Sequence, residues 1–254
     1  MRMQRVGTAG WSLPTKPNSE GSHLYHYSRT LSCTEINSTF YRPHRASTWA
    51  RWAAGTPQDF RFSIKAPRSI THEAKLRGTE SLVNAFLEQI DPIQPKAGPI
   101  LFQLPPSLGF DPALAEEFLA MLRSLYQGEA ALEPRHAGWF TPTADALLTS
   151  YSIARVAADP PKGAREAGEP GGDLRLVYYR LHGAPRVYYS NYEDHFLATA
   201  AAGIRARKNA WVIFDNTALS HAYPNALLFQ KLLLSGDGEQ GVSSGGYATP
   251  RHQG

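Results

Sequence analysis

Eight short apolar runs, most of them separated by helical patterns, each end in a polar or charged residue. Strands that alternate with helices pair in a parallel sheet, and eight such strands are enough to close a (β/α)8 barrel. The sequence therefore predicts an α/β fold: a single TIM barrel of parallel strands over residues 1–234, and a disordered, flexible tail over residues 235–254. The runs begin at Val6, Cys33, Phe60, Ile100, Ala130, Ile153, Leu176 and Trp211.

The bulk properties of the chain fit one such domain. Of its 254 residues, 42% are hydrophobic, which is enough for a sizeable core. The formal charge of +4 is compatible with an anionic ligand and does not require nucleic acid. Cys33 is the single cysteine, which excludes an intrachain disulfide and a zinc site with several thiolate ligands. Without a signal-peptide core or a membrane-length apolar stretch, we expect a cytoplasmic protein with no membrane partner.

The polar ends of the strands are expected to meet in one pocket, because a barrel opens the carboxyl end of every strand on the same face. Side chains two residues apart on a strand share a face, so Glu133 with Arg135, and Arg180 with His182, should point inward together. The predicted catalytic residues are Glu35, Lys65, Glu133 and His182. The predicted substrate-binding residues are Asn37, Gln103, Arg135, Asp159, Arg180, Asp215 and Asn216.

A purely structural role is the main alternative for this set. Three of its carboxylates can neutralise its three full cations in the barrel mouth without any ligand: Glu35, Glu133 and Asp215 against Lys65, Arg135 and Arg180. Polar ends on nearly every strand nevertheless favour a site, because a barrel that needed only stability can fill this layer with Val and Leu.

No metal or cofactor is predicted. The chain lacks a Walker loop and the GxGxxG, HExxH and GxSxG motifs. A divalent metal on Glu133, His182 and Asp215 is an alternative that the neighbouring cations oppose. A glycosidase that uses Glu35 and Glu133 as paired carboxylates is another.

The segment that ends the seventh strand is rich in tyrosine and arginine. Residues 178–192 read YYRLHGAPRVYYSNY, and barrels of this class commonly hold phosphate after strands seven and eight. Arg180 or Arg186 can grip a phosphate there while a tyrosine stacks on a ring. The alternative is that the tyrosines only pack the strand and its loop.

Seven strand-end motifs, in order, carry a family resemblance. GTAGWS, TEINSTFYRP, FSIKAPRSITHEAKL, ILFQLPPSL, EPRHAGWF, YYRLHG and FDNTALSHAYPNAL together resemble the YecE-like family, domain of unknown function family 72. The resemblance implies a TIM barrel similar to xylose-isomerase-like and endonuclease-IV-like barrels, and no established reaction. Asp215 stands where this resemblance implies Asn, and Pro134 interrupts the fifth motif.

Three functions are compatible with these residues. The leading hypothesis is an enzyme, a metal-independent lyase, isomerase or hydrolase, that acts on an anionic, phosphate-bearing small molecule such as a sugar phosphate or nucleotide derivative. The second is a barrel that binds or processes nucleic acid, by analogy with the endonuclease-IV-like fold. The third is a non-catalytic barrel that binds a metabolite or a protein partner. The oligomeric state is not predicted.

Overall fold

A computed structural model describes residues 3–15 and 20–235 of the chain. All eight predicted strands are present, and the sixth is divided in two at Val156. The strands are β1 (Met3–Ala9), β2 (Cys33–Ile36), β3 (Arg61–Lys65), β4 (Ala97–Gln103), β5 (Ala130–Glu133), β6 (Ile153–Arg155), β7 (Ala157–Asp159), β8 (Gly171–Gly172), β9 (Val177–Leu181) and β10 (Asn209–Phe214).

The strands form one mostly parallel sheet that curls into a barrel. Neighbouring strands from β1 to β5 pair in chain order, and β10 lies between β9 and β1. The ring is completed by residues 153–159, because β6 pairs with β5 while β7 pairs with β9. Only the two-residue β8 is antiparallel, at the edge of β6. The predicted TIM-barrel fold is confirmed.

Helices follow the strands on the outside of the barrel: α1 (His23–Tyr27), α2 (Ala46–Ala54), α3 (Glu80–Ile90), α4 (Pro112–Leu125), α5 (Pro142–Ser150), α6 (Asp194–Arg205) and α7 (Ala222–Ser235). The start of α4 shows how the sequence sets such boundaries. The Asp111 carboxylate accepts hydrogen bonds from the amides of Ala113 and Leu114, and Pro112 occupies the first turn, where no amide donor is needed.

The regular pattern fails after the sixth strand. Residues 160–176, all of which the structure describes, contain no α-helix; a short 3-10 turn (Arg165–Gly168) and β8 take its place. The segment is rich in Gly and Pro, which do not support a helix interior.

The predicted division into a barrel over residues 1–234 and a flexible tail over residues 235–254 stays a prediction. Ser235 still belongs to α7, and the rest of the predicted tail, residues 236–254, lies outside the described residues. None of the helices in the described ranges combines the length and the apolar character that crossing a membrane would need.

Two apolar layers hold the barrel together, one between helices and strands and one inside the ring. The inner layer requires a glycine on β1, because a Cβ atom at Gly7 would collide with the Cys33 carbonyl on the next strand. The inner layer comprises Cys33, Leu101, Ala131, Ala154, Val156, Leu176, Tyr178, Trp211 and Ile213. Any charge above this layer therefore faces an apolar floor.

Candidate functional site

Arg180 is the centre of a buried ionic cluster at the carboxyl ends of the strands. It lies in register with Ile213 of β10, an inner-layer residue, so its side chain points into the barrel. Its guanidinium contacts three carboxylates from three different strands or strand ends. The contacts are Nη2 to Glu35 Oε1 at 2.7 Å, Nε to Glu35 Oε2 at 3.1 Å, Nη1 to Glu133 Oε2 at 2.7 Å and Nη2 to Asp215 Oδ2 at 3.0 Å.

Arg180 keeps its charge in this setting although it is only 1% exposed. Burial lowers the pKa of its guanidinium, but the carboxylates of Glu35, Glu133 and Asp215 outweigh burial and raise it well above the ordinary value. A bidentate arginine between carboxylates is the geometry that satisfies a buried charge most completely. Each nitrogen of the Arg180 guanidinium is therefore engaged by at least one carboxylate of the cluster.

His182 bridges two of the same carboxylates. Its Nδ1 lies 3.1 Å from Asp215 Oδ2, and its Nε2 lies 3.2 Å from Glu133 Oε1. Burial and the nearby Arg180 lower the pKa of the imidazole, but the hydrogen bonds to Asp215 and Glu133 prevail and raise it overall. An imidazolium, with a proton on both nitrogens, fits two carboxylate neighbours. The geometry thus favours the charged form of His182.

Glu133 uses both of its oxygens inside the cluster. Oε1 accepts from His182 and from Arg135 at 3.2 Å, and Oε2 accepts from Arg180 and from Gln103 at 2.8 Å. Burial raises the pKa of this carboxyl, but Arg180, His182 and Arg135 together hold it well below the usual range. Glu133 is therefore a fixed anion that orients its neighbours.

Lys65 closes the cluster on the side of β3 and β4. Its Nζ donates to the Gln103 Oε1 atom at 2.9 Å and lies 4.2 Å from the centre of the Phe40 ring. Burial, followed by repulsion from Arg180, lowers the pKa of the ammonium to about 8, although Glu35, Glu133 and Asp215 partly compensate. Lys65 is 8% exposed and forms no ion pair within 4.0 Å with any carboxylate among the described residues. Lys65 is therefore much easier to deprotonate than an ordinary lysine.

Tyr178 contacts the cluster from the side of the inner apolar layer. Its hydroxyl lies 2.8 Å from Glu35 Oε2 and 2.7 Å from Ser63 Oγ. Burial raises the pKa of this phenol well above its ordinary value, and the Glu35 charge adds to the effect. Tyr178 fixes Glu35 as a neutral hydrogen-bond donor, and its ring is part of the inner apolar layer.

Asp215 differs from the other two carboxylates. Its Oδ2 receives Arg180 and His182, whereas its Oδ1 accepts no hydrogen bond from the described part of the chain. Burial raises the pKa of this carboxyl, but Arg180, His182 and Lys65 lower it overall. Because its side chain is also 11% exposed, Asp215 offers a free acceptor to the mouth.

More positive groups surround the opening. Arg135 binds Glu133 through Nη2, but its Nε is buried and has no partner in the described ranges. His72 packs edge-on against Phe40 with 4.9 Å between ring centres. Burial lowers the pKa of His72, and Lys65, Arg135 and Arg68 lower it further by repulsion. A pKa below its ordinary 6.5 leaves His72 mostly uncharged at pH 7, and Arg68 is paired with Glu73 at 3.0 Å. The positive charge at the mouth therefore comes from Lys65 and Arg135.

Two of the predicted binding residues lie elsewhere. On β7, Ala158 is in register with Arg180, so Asp159 lies on the outer face; its Oδ2 accepts from the Tyr192 hydroxyl at 2.7 Å. Asn216 follows Asp215 and so points away from the cluster, where its Nδ2 donates to Asn225 Oδ1 at 2.8 Å and to a loop carbonyl. The structure does not bring these two side chains into the pocket. Asp159 occupies the alternate position on β7, and Asn216 continues the alternation two residues beyond the end of β10.

The other predicted residues come together. Eight of them form one connected network of hydrogen bonds and ion pairs, in which Lys65 is linked through Gln103 alone. The eight are Glu35, Lys65, Gln103, Glu133, Arg135, Arg180, His182 and Asp215. Asn37 precedes the short turn Ser38–Phe40, and its Oδ1 is buried with no partner among the described residues. Phe40 was not foreseen, because only the loop path brings its ring over Lys65. Tyr178 was foreseeable, since it stands two residues before Arg180.

The cluster is not arranged as a metal site. Across residues 3–15 and 20–235, no group of three or more His, Cys, Asp or Glu side chains is placed to hold a metal ion. Arg180 occupies the space between the carboxylates, and its charge opposes a second cation there.

Comparisons with known proteins agree with this architecture. Over 104 residues the chain is 36% identical to "UPF0759 protein YecE" of Escherichia coli strain K12, which is 41% of this chain and 38% of that protein. Over 152 residues it is 30% identical to "UPF0759 protein YunF" of Bacillus subtilis strain 168, covering 54% and 52% of the two chains. The matches thus span about half or less of the length of these curated relatives.

Two crystal structures share the fold. A DUF72 family protein from Enterococcus faecalis V583 superimposes with a TM-score of 0.78 at 23% identity, covering 99% of this chain and all of that one. A DUF72 family protein from Thermotoga maritima MSB8 has a TM-score of 0.77 at 28% identity, covering 91% and 99%. Residues 5–246 match the family described as "Protein of unknown function DUF72". The chain belongs to the DUF72 family, to which the YecE-like motifs of its strand ends had pointed.

Proposed function

We propose that the barrel mouth binds a small phosphate-bearing anion and acts on it as an enzyme. The observation that carries the proposal is the pair of unsatisfied cations at the opening. Lys65 donates one side-chain hydrogen bond, to a neutral amide, and the Nε of Arg135 donates none to the described residues. A buried cation without a full set of acceptors is costly, and a phosphate oxygen is the acceptor that both side chains suit best.

The charge balance of the cluster supports an anionic ligand. Three carboxylates face three full cations, and His182 adds a further positive charge when it is protonated. An excess of positive charge over a low-dielectric floor attracts and holds a small anion.

The roles within the cluster follow from accessibility. Arg180, Glu35, Glu133 and His182 are at most 2% exposed and satisfy one another, so they position the groups above them. Arg135 and Lys65 bind the anion, and Gln103 orients Lys65. Lys65 has N–H groups beyond the one bonded to Gln103, and Asp215 has an Oδ1 that is free within the described chain, so these two residues handle protons on the substrate. Cytoplasmic metabolites include many such anions, in keeping with the location expected from the sequence.

Ligand binding measured by calorimetry and thermal unfolding tests the proposal. Inorganic phosphate and a panel of sugar phosphates should raise the melting temperature of the wild-type protein. Arg135→Gln should weaken phosphate binding about tenfold or more, because a charge-assisted hydrogen bond contributes about 1.5–3 kcal/mol. Arg51→Gln is the control, since Arg51 is an exposed arginine on α2, outside the barrel.

Two results count against the proposal. No stabilisation by phosphate or by any phosphorylated compound would overturn it. Tight binding of oligonucleotides with a steep salt dependence, unaffected by Arg135→Gln, would favour a nucleic-acid surface instead.

A further inference from the structure

We infer that the Lys65 amine forms an imine with the carbonyl carbon of a phosphorylated aldehyde or ketone, an inference that rests on the proposed binding of phosphate at the mouth. Anion binding alone does not require a nucleophile, so this assignment narrows the substrate class. Four features of the Lys65 environment support it.

The first feature is the partner of the amine. Lys65 Nζ donates to the neutral amide oxygen of Gln103 at 2.9 Å, whereas Arg135 and Arg180 are paired with carboxylates. A lysine in an ion pair is held in its protonated form, which cannot attack a carbon. A lysine hydrogen-bonded to an amide can lose a proton without leaving a carboxylate unpaired.

The second feature is the share of neutral amine. With a pKa of about 8, caused by burial and by Arg180, about a tenth of the Lys65 side chains are neutral at pH 7. For an ordinary lysine that share is smaller by a factor of a few hundred. Lys65 is thus activated in the way that lysine nucleophiles require.

The third feature is a proton acceptor. Asp215 Oδ1 has no hydrogen bond from the described residues, and Lys65 contributes to the lowered pKa of that carboxyl, so the two charges act on each other. Arg180 and His182 fix the other oxygen, Oδ2, which keeps the free oxygen oriented. No carboxylate lies within 4.0 Å of Nζ among the described residues, so Asp215 takes a proton from the ammonium through one bridging water and returns protons to the departing oxygen.

The fourth feature is the Phe40 ring, whose centre lies 4.2 Å from Nζ. The face of an aromatic ring stabilises a nearby cation, and the protonated imine is a cation that no longer has three N–H donors to satisfy. The ring thus suits the product of the reaction as well as the free ammonium.

The step balances in atoms and electrons without an oxidant or a metal. The ammonium of Lys65 gives one proton to Asp215 through a bridging water. The nitrogen lone pair forms a bond to the carbonyl carbon while the C–O π pair moves to oxygen. The C–O bond then breaks, and the oxygen leaves as water with two protons that came from the nitrogen. The product is a protonated imine, and Arg135 holds the phosphate of the bound compound.

Reductive trapping tests the inference. The protein is incubated with dihydroxyacetone phosphate or glyceraldehyde 3-phosphate and sodium borohydride, and then analysed by intact mass and peptide mapping. We expect a mass gain equal to the probe less one oxygen atom, located on Lys65. Lys65→Arg should abolish this adduct, while Lys208→Arg, at an exposed lysine, should leave it unchanged.

A second measurement does not depend on any variant. In the wild-type protein, inorganic phosphate should slow the labelling of Lys65 at least about tenfold and leave labelling of exposed lysines unchanged, and the unphosphorylated sugars should label Lys65 poorly. No adduct, or adducts spread over exposed lysines that persist in Lys65→Arg, would overturn the inference. If phosphate still binds in that case, the result contradicts imine formation at Lys65 and leaves the proposed binding of phosphate intact.

Discussion

Arg180 and Glu35 form a bidentate ion pair inside the barrel, with contacts of 2.7 and 3.1 Å and exposures of 1% and 0%. Such a pair is expensive to desolvate and is strongly destabilising to break, because the remaining charge is left without a partner. The same guanidinium also serves Glu133 and Asp215, so one residue neutralises carboxylates from three parts of the ring. The stability of the mouth thus depends on Arg180.

We expect Arg180→Met to lower the free energy of unfolding at pH 7 by about 3–5 kcal/mol, since three carboxylates lose their common partner. The loss should shrink towards pH 4, where the carboxyls can take up protons. Urea unfolding of the variant and of the exposed control Arg77→Met measures both effects. An Arg180→Met protein as stable as the control would contradict the central role of Arg180.

Alternation along the strands was sufficient to predict most of the cluster. Glu133 with Arg135, and Arg180 with His182, face inward because side chains two apart share a face of a strand. Alternation does not identify the inward-facing residues where the sequence leaves open which of the two faces of a strand is the inner one. Residues 153–159 carry two charged side chains, Arg155 and Asp159, which share a face by alternation. The sequence does not tell which face of this strand is the inner one, and in the structure Ala158 faces inward and Asp159 outward.

The sequence could not show which of the predicted side chains a substrate can reach. The predicted roles of Glu133 and His182 as proton carriers assume that a substrate can touch them, whereas their polar atoms are committed to neighbours on other strands. Those neighbours are distant in the chain, and local patterns carry no information about how many donors converge on one carboxylate. Phe40 over Lys65 depends in the same way on a loop conformation.

Lys65→Met should increase stability at pH 7. The folded protein holds the pKa of Lys65 at about 8 instead of 10.5, which corresponds to about 3 kcal/mol of destabilisation wherever the ammonium is charged in both states. Loss of the hydrogen bond to Gln103 offsets about 1 kcal/mol. We therefore expect a net gain of about 1–2 kcal/mol in urea unfolding.

The sign of the pH effect follows from the lowered pKa of Lys65. The penalty is fully present below pH 8 and fades as the pH rises towards 10.5, so the advantage of Lys65→Met should disappear over that range. A residue that only completes a structural network should instead lose stability on replacement. Lower stability of the variant at every pH would support the structural alternative over a reactive lysine.

His182 should give the protein a pH-dependent stability. Its pKa is raised above 6.5 in the folded state, so its contribution is fully present below about pH 6.5 and is lost as the pH rises through the folded-state value. Unfolding free energies from pH 5.5 to 8.5 should fall more steeply for the wild type than for His182→Gln. The control is His195→Gln, at a residue whose side chain is 80% exposed, and it should keep the wild-type slope. Equal slopes in all three proteins would show that His182 does not gain protons on folding.

Tyr192→Phe tests whether contacts on the outer face of the barrel affect stability without affecting phosphate binding at the mouth. The Tyr192 hydroxyl donates to Asp159 Oδ2 at 2.7 Å and accepts from the Gly183 amide at 2.8 Å. Its removal leaves both groups without this partner, which should cost about 1–3 kcal/mol in unfolding free energy. Phosphate affinity should stay at the wild-type value, because Asp159 points away from the cluster around Arg180. Tyr189→Phe, at a residue that is 39% exposed, should change neither quantity. A tenfold loss of phosphate affinity in Tyr192→Phe, with an unchanged unfolding free energy, would contradict this assignment and indicate that Asp159 takes part in phosphate binding.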